Sequence, residues 1–156
     1  MSTLRKIVSG GQTGVDRGAL DAALAAGFPC GGWCPAGRLA EDGALDSRYP
    51  LQELPGGDYA ARTLRNVLDS DATLILHHGP MRGGTLQTWE FCRDHGKPVC
   101  CVDMAETGSE AAVQQARQFV ERHRVGVLNV AGPRASQWPG GYDVARRVVG
   151  ALVAER

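Results

Sequence analysis

Residues 7–23 read IVSGGQTGVDRGALDAA, and the fold turns on how that stretch divides. Ile7 and Val8 close an apolar run that begins near Leu4. Ser9 to Gly14 set three glycines among small polar residues. Leu20, Ala23 and Leu24 then recur at helical spacing, and Gly27 supplies a C-terminal stop. A strand that passes into a helix through a glycine turn is the opening unit of an alternating α/β chain. Glycine lets backbone amides approach a guest with no Cβ in the way, and the helix N-terminus adds partial positive charge, so the turn suits an anion.

The same alternation continues outward. FPCGGW (28–33) is expected to hold a short strand. The following segment 34–57, CPAGRLAEDGALDSRYPLQELPGG, is long for a plain connection, and such loops tend to carry function. Asp58 is placed to cap a helix whose Ala60, Leu64, Val67 and Leu68 share a face. ATLILH (72–77) is continuously apolar, as in a strand buried on both sides of a parallel sheet. A helix through residues 86–95 ends at Gly96, and PVCCV (98–102) reads as another buried strand. Ser109 is expected to cap a helix with Ala112, Val113, Ala116, Phe119 and Val120 on its apolar side. VGVLNV (125–130) is a strand, and Val144, Val148, Val149 and Leu152 stripe the last helix. The expectation is an α/β fold over residues 1–156: one domain, three layers, a mostly parallel sheet of about five strands, and helices on both faces.

In that fold the strand-to-helix loops share the carboxyl edge of the sheet. SGGQTGVD (9–16), HGPMRGGT (78–85) and NVAGPRAS (129–136) are such loops. Gly10, Gly11, Gly14, Gly83, Gly84 and Gly132 bring open backbone, Ser9, Thr13, Thr85 and Ser136 bring hydroxyls, and Arg82 and Arg134 bring forked cations suited to phosphate. Gln12 and Asn129 complete the candidate site. Tight turns and helix caps are the plainer reading of any one loop. Ser9, Gly11 and Gly14 stand at G-x-G-x-x-G spacing with serine first, but Trp33, Cys34 and Pro35 occupy the place of the ribose-binding acid, so ordinary NAD chemistry is disfavoured. No G-x-x-x-x-G-K-[ST] is present, which disfavours a Walker-type triphosphatase.

Seventeen basic and seventeen acidic residues cancel, and no Lys/Arg block offers a nucleic-acid stripe. No apolar run reaches membrane-span length, and the N-terminus has no apolar signal core. The five cysteines are odd in number and irregularly spaced, so they read as reduced thiols of a cytosolic protein, with no metal site. Cys92, Cys100 and Cys101 suit core packing. Trp33, Trp89 and Trp138 also read as packing, with Trp33 or Trp138 as the option for stacking on a ring. Arg38 either reaches a phosphate or pairs with Asp42.

SGGQTGVDRGALDAAL, GGWCPAGRLAEDG, RYPL, RNVLDSDATLIL, GGT and LNVAGPRAS closely resemble the family of molybdenum cofactor carriers. That family is part of a Rossmann-like SLOG superfamily that includes nucleotide sensors and lysine-decarboxylase-like phosphoribohydrolases. The resemblance runs from about residue 6 to about residue 150. It implies a protein that holds a phosphorylated pterin bearing molybdenum oxo groups (molybdopterin with its molybdate-derived metal) and shields it until an apo-molybdoenzyme or insertion protein receives it. A homo-oligomer is expected, with no membrane and no nucleic acid polymer as partner. The alternative is a sensor or enzyme acting on a nucleoside monophosphate or ADP-ribose. The related hydrolases carry a glutamate three residues after a G-G-x-G-T threonine. Here Thr88 stands three residues after Thr85, and Glu90 points about 200° away from it on a helix. Binding without turnover is therefore favoured. If there is catalysis, Asp16 and Glu41 are the candidate acids, although Asp16 also suits a helix dipole and Glu41 a solvated loop.

Overall fold

The computed structural model describes residues 2–154, so Met1, Glu155 and Arg156 of the expected 1–156 unit lie outside the described residues. In chain order the elements are β1 (Lys6–Val8), α1 (Val15–Ala25), β2 (Cys30–Gly31), β3 (Trp33–Cys34), a 3-10 turn (Ala36–Arg38), β4 (Leu39–Ala40), β5 (Gly43–Ala44) and β6 (Gln52–Glu53). There follow α2 (Tyr59–Leu68), β7 (Ala72–His77), α3 (Gly83–Asp94), β8 (Val99–Asp103), α4 (Ser109–His123), β9 (Val127–Ala131) and α5 (Gly141–Val153).

Five strands form one parallel sheet in the order β2-β1-β9-β7-β8. Every residue of β7 is buried, as its unbroken apolar run requires. Ala72, Leu74 and Leu76 join Ala19 and Ala23 of α1, Ala116 and Val120 of α4, and Val148 and Leu152 of α5 in the main core. The alternate residues of β7 point the other way. α1 packs on α5 and α5 on α4, while α2 and α3 pack on one another outside that core. The architecture is the Rossmann-like three-layer fold. Its strand order has a consequence for the loops: the last strand, β9, inserts between β1 and β7. The turns leaving β1, β9 and β7 are therefore immediate neighbours.

Several local expectations are corrected. FPCGGW splits into β2 and β3, which belong to different sheets. Between them Gly32 has φ 132°, and a Cβ there would lie 2.2 Å from the Ser9 carbonyl oxygen. β8 is an edge strand, so Cys100 and Cys101 are only half-buried, whereas Cys92 is fully buried. Ser109 is the first residue of α4; the cap position belongs to Gly108, with no side-chain bond. Asp58 does cap α2, its Oδ1 accepting from the Ala61 amide at 2.8 Å. The α2 face expected in the core is displaced: Thr63, Asn66 and Val67 are buried, while Leu68 is 40% exposed.

Segment 34–57 is ordered. Cys34, Ala40, Leu45, Tyr49 and Leu51 build a second small core on Leu20 of α1. β3 pairs with β6, and β4 with β5. Arg38 turns inward and donates to the carbonyls of Leu51 (2.9 Å), Asp46 (2.9 Å) and Tyr49 (3.0 Å). It does not pair with Asp42, which Arg17 holds instead, and it is not among the residues that line the cleft described below.

Candidate functional site

At the carboxyl edge a cleft of about 300 Å³ opens among the three neighbouring turns and α2. Gln12 and Asp16 come from the β1–α1 turn. Ala131 to Arg134 and Gln137 come from the loop after β9. Gly83, Gly84, Thr85, Gln87 and Thr88 come from the start of α3, and Tyr59, Arg62 and Thr63 from α2. The loops expected to converge do converge, but their parts divide into those that face the cleft and those that build it.

The β1–α1 turn consumes most of its own polar groups. Ser9 is fully buried; its hydroxyl donates to the Asp16 carbonyl (3.0 Å) and accepts from the Gly11 amide (3.3 Å). The Gln12 amide donates to Asp16 Oδ2 (3.3 Å) and the Thr13 amide to Gln12 Oε1 (3.0 Å). Gly11 adopts φ 78°, and a Cβ there would meet the Leu51 side chain at 2.5 Å and Leu45 at 2.9 Å, neither of which lines the cleft. Gly14, with φ 81°, lies against Pro133, where a Cβ would stand 2.5 Å from the carbonyl oxygen. These glycines let two loops touch.

Glu41 fastens that contact. Its carboxylate accepts from the Thr13 hydroxyl, the Ser136 hydroxyl (2.7 Å) and the Ser136 amide (3.1 Å), and it lies 3.5 Å from Arg134 Nε. The Thr13 and Ser136 hydroxyl bonds, with smaller help from the Ser136 amide and Arg134, hold the Glu41 carboxyl below the usual range. Thr13 and Ser136 therefore serve a strap that draws segment 34–57 over the two loops. Neither lines the cleft, and Glu41 is committed to the strap. Beside it, Arg17 grips Asp42 through Nη1 and Nη2 at 3.0 and 3.1 Å and donates from Nε to the Gly11 carbonyl.

The N-terminus of α3 is different. Its first amides have no acceptor within the helix, no side chain caps them, and no acidic residue lies in its first turn. Thr85 is buried at the cleft, and Thr88 turns its hydroxyl to the Gly84 carbonyl at 2.9 Å. Arg82 stands exposed at the cap position and is not part of the lining; Asn129 is buried within β9 and donates to Thr73 Oγ1 (3.3 Å). Glu90 is absent from the lining, so α3 brings no carboxylate to the cleft.

The charged groups deepest in the cleft are Asp16 and Arg62. Asp16 is 4% exposed, and burial raises its pKa from 3.8 to about 6 against the lowering pull of Arg62, the Gln12 amide and Arg17. Arg62 Nη1 lies 3.6 Å from Asp16 Oδ2, and Arg62 Nε is buried with no hydrogen-bond partner. Gly10 makes room for this guanidinium: a Cβ there would lie 1.7 Å from Nη1. Sequence reasoning missed Arg62, Tyr59 and Thr63. The available signal was the polar series 59, 62, 63 at helical spacing, which the apolar residues of α2 outweighed. The expected stacking residues are elsewhere. Trp33 donates to Asp69 (2.8 Å) under Arg65, and Trp138 packs against the main core, whereas the exposed aromatic at the cleft is Tyr59.

Among the described residues no helix is long and apolar enough to cross a membrane, and no three His, Cys, Asp or Glu side chains are grouped to hold a metal ion. No curated protein sequence matches the chain. A solved structure does: the crystal structure at 1.45 Å of a protein named "Putative molybdenum carrier protein", from Syntrophus aciditrophicus SB, is similar at 43% identity with a TM-score of 0.94, over 97% of this chain and 96% of the other. Residues 7–153 match the family described as the circularly permutated YpsA SLOG family, and with that span the chain belongs to it.

Proposed function

We propose that the protein binds the molybdenum cofactor in this cleft and carries it protected from solvent, handing it to an apo-molybdoenzyme or insertion protein. The observation that carries the reading is the α3 N-terminus, an uncapped set of amides with no acid of its own, lining the same cleft as the Arg62 guanidinium. A terminal phosphate suits those amides together with Thr85. The pterin is a flat ring, and Tyr59, 49% exposed at the cleft, offers it a face. Gln12, Gln87, Gln137 and Arg134 offer hydrogen-bond donors of the kind oxo groups accept. The similar structure named for molybdenum carriage supports the same choice. As a carrier the protein acts in the cytosol, as a symmetric assembly of copies.

A nucleotide sensor or N-glycosidase-type hydrolase is the second reading, and one observation favours it. Asp16 is a cleft carboxylate that carries a proton at mildly acidic pH, as an acid catalyst must. Calorimetry with the molybdenum cofactor, molybdopterin, AMP and ADP-ribose, against wild type and Thr85→Val, separates the two. Carriage predicts that the pterin ligands bind tightest, that Thr85→Val weakens them, and that no free base is released from AMP. Tight AMP or ADP-ribose binding with no response to pterins, or liberation of adenine, would replace carriage by the second reading.

A further inference from the structure

Arg62 is a cation whose donors are largely unspent. The backbone is cleared for it at Gly10, its side chain is 14% exposed, and its Nε has no acceptor. Its ion-pair partner among the described residues, Asp16, stands at 3.6 Å, beyond hydrogen-bond reach, and accepts a long bond from the Gln12 amide (3.3 Å). A guanidinium built to stay with a carboxylate meets it through two short parallel bonds, as Arg17 meets Asp42. The Arg62–Asp16 contact is looser, and both residues line the same cleft as the α3 N-terminus.

Resting on the reading of this cleft as an anion site, we propose that Arg62 receives the dianionic end of the ligand, that Asp16 is the internal counter-ion it gives up, and that anion binding is therefore coupled to uptake of one proton by Asp16. A dianion bound to Arg62 lies close to the Asp16 carboxylate, and two like charges in a buried cleft disfavour the ionised acid. The other charged group acting on Asp16 is Arg17, from its own helix; Arg134, after β9, lines the same cleft and pairs with Glu41. α3 contributes no ionisable side chain to the lining, and among the described residues Asp16 is the lining's one carboxylate. Physiologically, the site holds an anion more tightly in a more acidic setting and loosens as the proton leaves.

The test is titration calorimetry with sulfate, a dianion that does not itself titrate, from pH 5 to pH 8.5 in buffers of differing ionisation enthalpy. Wild type is expected to bind with constant affinity below about pH 6, where Asp16 is already protonated, and to weaken by up to about tenfold per pH unit above it, taking up nearly one proton. Asp16→Asn should abolish both the proton uptake and the slope and bind more tightly than wild type at pH 8. Arg62→Ala should lose binding at every pH, with Arg62→Lys partly restoring it. Sulfate binding that weakens in Thr85→Val yet shows no proton uptake, or a slope that survives Asp16→Asn, overturns the coupling and leaves the anion site standing. Absence of saturable sulfate binding, or binding indifferent to both Arg62→Ala and Thr85→Val, overturns the coupling and the site together.

Discussion

Replacing Asp16 by Asn keeps the shape of a side chain that is 4% exposed and removes its charge. Burial raises this carboxyl from 3.8 to about 6, with Arg62, the Gln12 amide and Arg17 only partly opposing it. The folded protein thus prefers the protonated form. The favourable contribution is fully present below about pH 4 and is lost as pH rises toward and through about 6, because over that window the native state binds more protons than the unfolded chain. At about 1.4 kcal/mol per pKa unit, the cost to wild type above pH 7 is roughly 3 kcal/mol. Asparagine does not titrate and escapes that cost. Asp16→Asn is therefore expected to match wild type near pH 3.8 or below and to gain on it progressively, reaching up to about 3 kcal/mol by pH 7.5. For a chain of this size that is roughly 6–12 °C in Tm. Urea denaturation of both proteins from pH 4 to pH 8 measures the difference directly. Parallel stability curves, separated by a constant amount across the range, would refute the claim that this carboxylate is held against its preference for water.

Gly10→Ala is expected to push the Arg62 guanidinium aside, since the new methyl would overlap Nη1 at the end of a flexible side chain. Sulfate affinity measured by calorimetry should fall at least about tenfold while Tm moves by less than about 3 °C, the signature of a lost cation in a retained fold. Glu41→Ala removes the acceptor shared by Thr13 and Ser136, so hydrogen exchange at the Ser136 amide should accelerate at least about tenfold. In wild type that protection should persist from neutral pH down past 4.5 and vanish only as the lowered Glu41 carboxyl protonates. Arg38→Ala strips donors from three carbonyls, with an expected cost of about 2–3 kcal/mol and faster proteolysis of residues 39–51. Its effect on anion affinity should stay within about twofold, because Arg38 is outside the cleft.

The layers were legible because they follow from local pattern. ATLILH has the unbroken apolar character of a central parallel strand, Asp58 is a cap ahead of a helix, and glycine turns after strands announce one shared edge. What local pattern does not contain is strand order. Insertion of β9 between β1 and β7 makes three separate turns into one cleft, and that is decided by packing over the whole sheet. The division of labour within the turns was hidden for a similar reason. Glu41 takes up Thr13 and Ser136 across 28 and 95 residues of chain, so two hydroxyls that read as ligand donors are spent on a strap. Arg62 was hidden by periodicity itself: α2 carries apolar residues at helical spacing, yet it is the polar Tyr59, Arg62 and Thr63 that line the site.

Carriage of the cofactor is tested most directly by isolating the protein without oxygen from cells that make molybdenum cofactor, then measuring molybdenum by mass spectrometry and released pterin by fluorescence. The account predicts pterin and molybdenum in equal amounts on wild type, and neither on Arg62→Ala that remains folded. Wild-type protein that comes out with a bound nucleotide and no pterin, or Arg62→Ala that retains a full load, would contradict it.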